Sequence, residues 1–152
     1  MAPPLAVRAA THADEEQTLT LLEELFAPPG KPPRDYTRAR GAIGFRHAVE
    51  AENADILLAL DAGTLVGLAS VYVDFPSLRF GWRCWLEDLV VTASRRGSGV
   101  GRILLKASRD WARAHGCTHL ELNSAVTRAD AHRFYSANGM VQDSLSFALR
   151  VD

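Results

Sequence analysis

The most constraining feature of this 152-residue sequence is a glycine-rich turn, residues 95–101, between a strand-like and a helix-like segment. The turn reads Arg-Arg-Gly-Ser-Gly-Val-Gly, and the alternating apolar segment 83–92 precedes it. Beyond the turn, apolar residues recur at helical spacing: Val100, Ile103, Leu104, Ala107, Trp111 and Ala114. His115 and Gly116 are a typical end of a helix. The sequence therefore predicts a strand, a turn and a helix in succession.

The position of this turn predicts a phosphate site. A helix N-terminus has amide hydrogens without intrahelical partners and a partial positive charge. Gly97, Gly99 and Gly101 have no side chains that would block the approach. A dinucleotide-binding fingerprint would need glycine at Arg102, and a nucleoside-triphosphate loop would need a Gly-Lys-Ser/Thr ending, so neither is present. The glycines alone leave two interpretations, a phosphate-binding loop or a connection selected for its backbone geometry.

The remaining pattern alternates strands and helices. The predicted strands are 5–9, 56–60, 65–73, 83–92, 120–123 and one or two within 140–151. The predicted helices begin at a capping box of Thr11 and Asp14, at Thr37 and at Ala129, besides the one after the glycine turn. Strict alternation over 83–92 predicts that Glu87, Leu89 and Val91 share one face, with Asp88 and Val90 on the other.

Composition excludes several classes of function. Lys and Arg total 17 against 18 for Asp and Glu, without a basic stripe, so a nucleic-acid partner is not predicted. No apolar run approaches the roughly 18 residues that span a membrane, and no leader pattern is visible, so a cytoplasmic protein is predicted. Cys84 and Cys117 are interpreted as small apolar residues, and the histidines lack metal-ligand spacing, so no metal is predicted.

Three motifs together resemble one family. Arg96, Gly99 and Gly101 follow the Arg-x-x-Gly-x-Gly pattern of the pyrophosphate loop in the GCN5-related N-acetyltransferase (GNAT) family. Residues 86–91, Leu-Glu-Asp-Leu-Val-Val, resemble the family's fourth strand, and Ala-His-Arg-Phe-Tyr at 131–135 with Asn-Gly at 138–139 resembles its last helix. The order and separations match, and the resemblance covers roughly residues 56–141.

The resemblance implies an α/β fold of the α+β type in one N-acetyltransferase domain, residues 3–151. It implies a mixed, mostly antiparallel twisted sheet of six to seven strands, about four flanking helices and a splayed central strand pair. The implied activity is transfer of an acetyl group from acetyl-CoA to a primary amine of a small molecule or a protein. Family members often dimerise, so the aromatic residues Phe75, Phe80 and Trp82 are candidates for a homodimer interface or a substrate wall.

The resemblance also implies roles for individual residues. The main chain of Leu89, Val90 and Val91 is expected to bind the pantetheine arm, and Asn123 and Tyr135 are further expected contacts of the cofactor. The pyrophosphate is expected to bind the amides of Arg96, Gly97, Ser98, Gly99, Val100 and Gly101. The family often has asparagine where this chain has Arg128, and we expect Thr127 with Asp130 to cap the helix instead.

Two side chains are candidates for proton transfer. An alkylamine with a pKa near 10.4 must lose a proton before it attacks a thioester, so a base is needed. By resemblance Glu87 is the candidate base, acting through water, with Asp88 the weaker candidate. Tyr135 is the candidate acid for the departing thiolate. The alternatives are an arginine-paired or solvated Glu87 and a core tyrosine with a bonded hydroxyl.

Two other functions are compatible with the same fold. One is a CoA-binding module that senses or assembles without catalysis, and the other is an enzyme that transfers a longer acyl group. Glu87 and Tyr135 favour an enzyme, because a pure binding module needs neither a base nor an acid.

Overall fold

A computed structural model of the protein describes residues 5–152, so residues 3 and 4 of the predicted domain lie outside the described part. The chain divides into two compact units, Met1–Leu122 and Asn123–Asp152, each described by itself. Among the helices of residues 5–152, none combines the length and the apolar composition that crossing a bilayer requires.

The first unit contains a five-stranded sheet and three α-helices. Its strands are β1 (Ala6–Ala9), β2 (Ala54–Asp61), β3 (Thr64–Val73), β4 (Arg83–Val91) and β5 (His119–Glu121). Its helices are α1 (Glu15–Leu22), α2 (Arg38–Glu50) and α3 (Val100–Ala114). The strands lie in the order β1-β2-β3-β4-β5, and all neighbours are antiparallel except β4 and β5. The predicted mixed, mostly antiparallel sheet is confirmed, with five strands in residues 5–152 rather than six to seven.

Local sequence signals explain where these elements begin and turn. Ala62 and Gly63, between β2 and β3, both have positive φ, 50° and 82°, as a tight two-residue hairpin turn requires. Thr11 and Asp14 form the predicted capping box around a short 3₁₀ turn, with the Thr11 amide donating to Asp14 Oδ2 at 2.8 Å. At the start of α2, Thr37 Oγ1 accepts a hydrogen bond from the Arg40 amide at 3.1 Å.

Helices cover both faces of the sheet. On one face of the sheet, Leu58, Leu68 and Val90 form a buried cluster with Leu21 of α1 and Phe45 of α2. The opposite face receives α3, whose Val100 and Leu104 are 1% and 0% exposed. Because both faces are buried, apolar residues predominate in β2, β3 and β4, although Glu87 and Asp88 interrupt them in β4. Burial alone therefore does not indicate which side chain points to which face.

The second unit contains α4 (Ala129–Ala137) and an extended segment. The N-cap residue of α4 is Arg128, and no side-chain hydrogen bond caps this helix, so the predicted cap by Thr127 is wrong. Gly139, with φ 86°, follows the helix end, and Asn138 Nδ2 donates to the Phe134 carbonyl at 2.8 Å.

The prediction of one or two strands over 140–151 is wrong for this structure. Residues 140–152 contain no strand or helix, and residues 141–152 are all exposed. Alternating apolar residues indicate which face of a strand is buried. A strand forms, however, only where its main chain can hydrogen-bond to the edge of another strand. Residues 140–152 make no such pairing among themselves and form no strand.

Candidate active site

The glycine-rich turn lies, as predicted, between β4 and α3. A 3₁₀ turn, Ala93–Arg95, follows β4, and α3 begins at Val100. Gly97 and Gly99 have φ values of 75° and 91°, and a Cβ built on either residue would meet nothing within 4 Å. The left-handed backbone explains glycine at both positions. The first amides of α3 therefore face an approach free of side chains, which suits a diphosphate group.

Side chains fix the two ends of this turn. Arg95 forms an ion pair with Asp61 at the end of β2. The exposed Arg96 folds back, and its Nε donates to the Val91 carbonyl at 3.2 Å. The turn is thus anchored to the β2–β3 hairpin and to the end of β4.

A close approach between sheet and helix positions α3 behind the turn. A Cβ added at Gly67 of β3 would lie 2.8 Å from Leu104 Cδ1, 2.8 Å from Val100 Cγ1 and 3.1 Å from the Val90 carbonyl oxygen. Only glycine, which has no Cβ, allows α3 to lie this close to the β3 backbone. The N-terminal half of α3 therefore packs directly on the β3 backbone, which holds the helix N-terminus at a defined place beside β4.

The splayed strand pair is formed by β4 and β5. These parallel strands pair only at Arg83, Cys84 and Trp85, whereas β3 pairs with β4 as far as Val91. Within residues 5–152, the edge of β4 beyond Trp85 that faces β5 consequently has no strand partner. Leu89, Val90 and Val91 lie on this edge, where their main-chain groups can bind an extended amide-containing arm as an added strand.

A β-bulge in β4 changes the predicted orientation of the acidic residues. Asp88 pairs with Ser70 and Leu86 pairs with Val71, so Glu87 is an extra residue opposite a continuous β3. Directly opposite residues share a face. Asp88 therefore lies on the Ser70 face and Leu86 on the opposite one, so the strict alternation predicted through 83–92 is wrong after Leu86.

The bulge brings both carboxyl groups to one face. Ser70 Oγ donates to Asp88 Oδ2 at 2.8 Å and accepts from the Asp88 amide at 3.0 Å. The hydroxyl of Tyr72, two residues along β3, lies 3.5 Å from Glu87 Oε2, a long contact. Within residues 5–152 no arginine forms an ion pair with Glu87, so the arginine-paired alternative for this side chain is not observed.

The surroundings of Glu87 and Asp88 raise the pKa of both carboxyl groups. Glu87 is exposed, yet its partial desolvation raises its pKa, and the negative charge of Asp88 raises it further. Burial also raises the pKa of Asp88, while the Ser70 hydroxyl acts in the opposite sense. A carboxyl group with a raised pKa is a stronger base when ionised. The sequence did not predict the roles of Ser70 and Tyr72 or the orientation of Asp88, because these depend on how β4 pairs with β3.

The candidates from the second unit are Tyr135 and Asn123. Tyr135 is half-buried on α4, and its hydroxyl makes no hydrogen bond to protein atoms of residues 5–152. Burial raises the pKa of Tyr135, partly opposed by the charge of Arg128, so the phenol holds its proton at neutral pH. Asn123 is exposed, two residues beyond β5.

The cysteine in β4, Cys84, is not suited to act as a nucleophile. Cys84 is fully buried, and burial raises its pKa to about 12. Only a thiolate is an effective nucleophile, so Cys84 behaves as the small apolar residue that the sequence predicted. Burial also raises the pKa of Cys117.

An unpaired strand edge beside a bare helix N-terminus defines a site for a ligand with an extended amide arm and a diphosphate. These are the features of coenzyme A, so the class of protein is a CoA-dependent acyltransferase. The sequence model described as "Acetyltransferase (GNAT) family" matches residues 16–140. The chain belongs to this family and is an acetyl-CoA-dependent N-acetyltransferase.

Named proteins resemble the chain over nearly its whole length. It is 32% identical to the aminoalkylphosphonate N-acetyltransferase of Salmonella typhimurium over 145 residues, 95% of this chain and 90% of that protein. It is 32% identical to the aminoglycoside N(6')-acetyltransferase type 1 of Stenotrophomonas maltophilia, covering 88% and 84% of the two chains. The structure of the aminoglycoside N-acetyltransferase AAC(6')-Iy with CoA superposes with a TM-score of 0.83 at 18% identity, over 97% and 94% of the chains. The last comparison establishes the fold.

Proposed function

We propose that this enzyme transfers the acetyl group of acetyl-CoA directly to a primary amine of a small molecule, in a ternary complex. The observation that carries this proposal is the unpaired edge of β4 leading into the glycine turn at the start of α3. The family model spans both structural units, which supports one N-acetyltransferase domain over residues 3–151. The cytoplasmic location expected from the sequence remains a prediction.

Binding of acetyl-CoA is assigned to main-chain groups. Leu89, Val90 and Val91 bind the pantetheine arm, and the amides of residues 96–101 bind the pyrophosphate. Asn123 adds a contact to the pantetheine arm. An amide near Leu89 faces the thioester oxygen, where a fixed donor stabilises the negative charge that develops during attack, worth roughly 3 kcal/mol.

Two side chains move protons in the proposed reaction. Glu87 accepts a proton from the ammonium group through water, and the neutral amine then attacks the thioester carbon. The carbon–sulfur bond breaks, and Tyr135 donates its proton to the departing thiolate. The raised pKa of Glu87 supports the role of base, and Tyr135 is protonated at neutral pH and therefore carries a proton that it can donate.

The acceptor is proposed to be a small cationic amine. The face that carries Glu87 also carries Asp88, and two carboxyl groups on one face attract a cation. Two relatives that cover most of this chain are named for aminoalkylphosphonates and aminoglycosides, both of which carry amines. These two compound classes are therefore the first acceptors to test.

The test is release of the CoA thiol, measured with a panel of aminoalkylphosphonates, aminoglycosides, polyamines and a lysine peptide. With the best acceptor, Glu87→Gln and Tyr135→Phe are expected to turn over at least about tenfold more slowly, because acid or base assistance contributes that much or more. Both variants should bind acetyl-CoA with unchanged affinity in calorimetry. Glu52→Gln removes an equal charge from an exposed loop and is the matched control.

Three possible results would each contradict a different part of the proposal. Acetyl-CoA binding without turnover of any amine would identify a non-catalytic CoA-binding module. Faster transfer from propionyl-CoA than from acetyl-CoA would identify a longer-chain acyltransferase. Full activity in Glu87→Gln would eliminate this residue as the base and leave Asp88 as the remaining carboxyl group on that face.

A further inference from the structure

Ser70 of β3 makes two hydrogen bonds to a single residue of β4. Its hydroxyl donates to Asp88 Oδ2 at 2.8 Å, and its oxygen accepts from the Asp88 amide at 3.0 Å. One bond holds the side chain of Asp88, and the other holds its main chain. A hydroxyl can make both bonds because it donates and accepts at the same time. The two bonds together fix the position and the direction of Asp88 relative to β3.

The β-bulge in β4 explains why these bonds are needed. An extra residue in one strand interrupts the regular ladder of main-chain hydrogen bonds, so main-chain groups beside it need other partners. Asp88 directly follows the extra residue, Glu87, and its amide donates to the Ser70 side chain. Ser70 therefore supplies a hydrogen-bond partner at the position where the register of the two strands shifts.

The two neighbours of Glu87 are held in different ways. Leu86 is 2% exposed and lies in the core on the face opposite Ser70. Asp88 is polar and only half-buried, so apolar packing does not hold it. Among residues 5–152, Ser70 is the side chain that hydrogen-bonds to Asp88. Loss of the Ser70 hydroxyl would therefore release the Asp88 side of the bulge and leave the Leu86 side in place.

The pairing of Ser70 decides which residue of β4 is the extra one. Ser70 pairs with Asp88, and residues 89–91 pair with the residues of β3 that precede Ser70. If Ser70 paired with Glu87 instead, Asp88 would become the extra residue. The Glu87 carboxyl group would then lose its position beside Tyr72, whose hydroxyl it approaches to 3.5 Å. Residues 89–91 would keep their partners, so the strand edge proposed to bind acetyl-CoA would not change.

We propose that Ser70 is a positioning residue for acetyl transfer: its two hydrogen bonds to Asp88 keep Glu87 as the extra residue of the bulge and so set the direction of the Glu87 carboxyl group. Ser70 acts through Glu87 and does not itself contact the reacting atoms. The proposal rests on the proposed role of Glu87 as the base. It makes the rate depend on a residue of β3 that lies outside the three sequence motifs of the family.

The first test follows the bulge itself and needs no acceptor amine. Hydrogen exchange of the full chain is measured by NMR. In Ser70→Ala the Asp88 amide should exchange at least about tenfold faster than in the native chain, because its acceptor is gone. Ser70→Thr keeps a hydroxyl on a residue type that strands favour and should retain slow exchange. Amides of β2 should keep their rates, which separates a local release of the bulge from a general loss of stability.

The second test is a kinetic double-mutant cycle with Glu87→Gln. Ser70→Ala should lower kcat roughly tenfold, and no further than Glu87→Gln does, because a displacement of about 1 Å is enough for such a loss. The dissociation constant for acetyl-CoA should not change. In the Glu87→Gln background the same substitution should change kcat less than about twofold, because the group that Ser70 positions is already absent.

Two further variants complete the kinetic test. Ser70→Thr should restore most of the native kcat, since it restores the hydroxyl. Thr64→Ala removes a hydroxyl from the exposed first residue of β3 and is the matched control, with native kcat and native exchange at Asp88.

The results distinguish a positioning role from a purely structural one. Equal losses of kcat from Ser70→Ala in the native and Glu87→Gln backgrounds would overturn the proposal, as would native kcat or an unchanged Asp88 amide in Ser70→Ala. Full activity of Glu87→Gln would remove the base and this proposal with it. If no amine were acetylated, the proposed function would fail, whereas a fast Asp88 amide in Ser70→Ala would still support Ser70 as the residue that fixes the bulge.

Discussion

A single methyl group added at Gly67 tests the packing that positions the candidate CoA site. In the Gly67→Ala variant the new Cβ would lie 2.8 Å from Leu104 Cδ1 and from Val100 Cγ1, and 3.1 Å from the Val90 carbonyl oxygen. Carbon atoms pack at about 3.5–4.0 Å, so α3 must move by several tenths of an ångström or its side chains must leave their rotamers. Both helix side chains are essentially fully buried, which leaves them no room to rotate away.

The cost is that of overpacking a dense core. Extra carbon atoms in such sites reduce the free energy of unfolding by roughly 1–3 kcal/mol. For a chain of this size each kcal/mol corresponds to roughly 2–4 °C, so the melting temperature should fall by about 2–12 °C. Any displacement of α3 also moves the amides proposed to bind pyrophosphate, so the dissociation constant for acetyl-CoA should rise in the same variant.

Urea unfolding at neutral pH and calorimetric titration with acetyl-CoA measure the two effects. The matched control is Gly44→Ala within α2, where an added Cβ meets nothing within 4 Å. There the better helix propensity of alanine should stabilise the protein by roughly 0.5–1 kcal/mol. If Gly67→Ala proves as stable as the native chain, close packing of α3 on β3 is not what holds the helix, and the reasoning fails.

Three further predictions concern the turn, a helix cap and the acidic face. Gly99→Ala, at φ 91°, should cost roughly 1–2 kcal/mol of stability and raise the acetyl-CoA dissociation constant at least about tenfold, measured by urea unfolding and calorimetry. The hydrogen bond from Arg8 lowers the pKa of Asp14 below its ordinary value, so its stabilisation is present at neutral pH and is lost as the pH falls below about 4. Asp14→Asn should therefore lose roughly 1–2 kcal/mol at pH 7 and less at pH 3; an equal loss at both would contradict the assignment. Asp88→Asn removes a charge that raises the pKa of Glu87, so the acid limb of the kcat/KM profile should shift to lower pH, and an unmoved limb would exclude the coupling.

Local chemistry made most of the fold predictable from the sequence. The capping box of Thr11 and Asp14, the cap at Thr37, the glycine turn and the helix end at Gly116 each encode a backbone conformation within a few residues. Signals of this kind predicted the helix boundaries and the hairpin within a residue or two. They also predicted the start of α4 at Ala129 but not its cap, because Arg128 rather than Thr127 is the N-cap residue and no side chain caps the helix.

The acidic face shows why the candidate site was only partly predictable. A bulge depends on how two strands pair, and the bulge in β4 falls at the acidic residues Glu87 and Asp88, whose faces the sequence of β4 alone does not define. Alternation therefore placed Asp88 away from Glu87, whereas the pairing with Ser70 brings the two carboxyl groups to one face. The contact between Tyr72 and Glu87 joins residues 15 apart in the sequence, which no local pattern indicates.

The sequence by itself determined the order of the elements, the bare backbone of the turn at Gly97 and Gly99, and the family. These depend on φ preferences and periodicity, which act between neighbouring residues. Only the tertiary structure decided that β4 separates from β5 after Trp85, that Glu87 is the extra residue of a β-bulge, and that residues 144–151 form no strand. Strand pairing joins segments that are far apart in the sequence. Which edges pair therefore depends on where the folded chain places them, and neighbouring residues do not determine it.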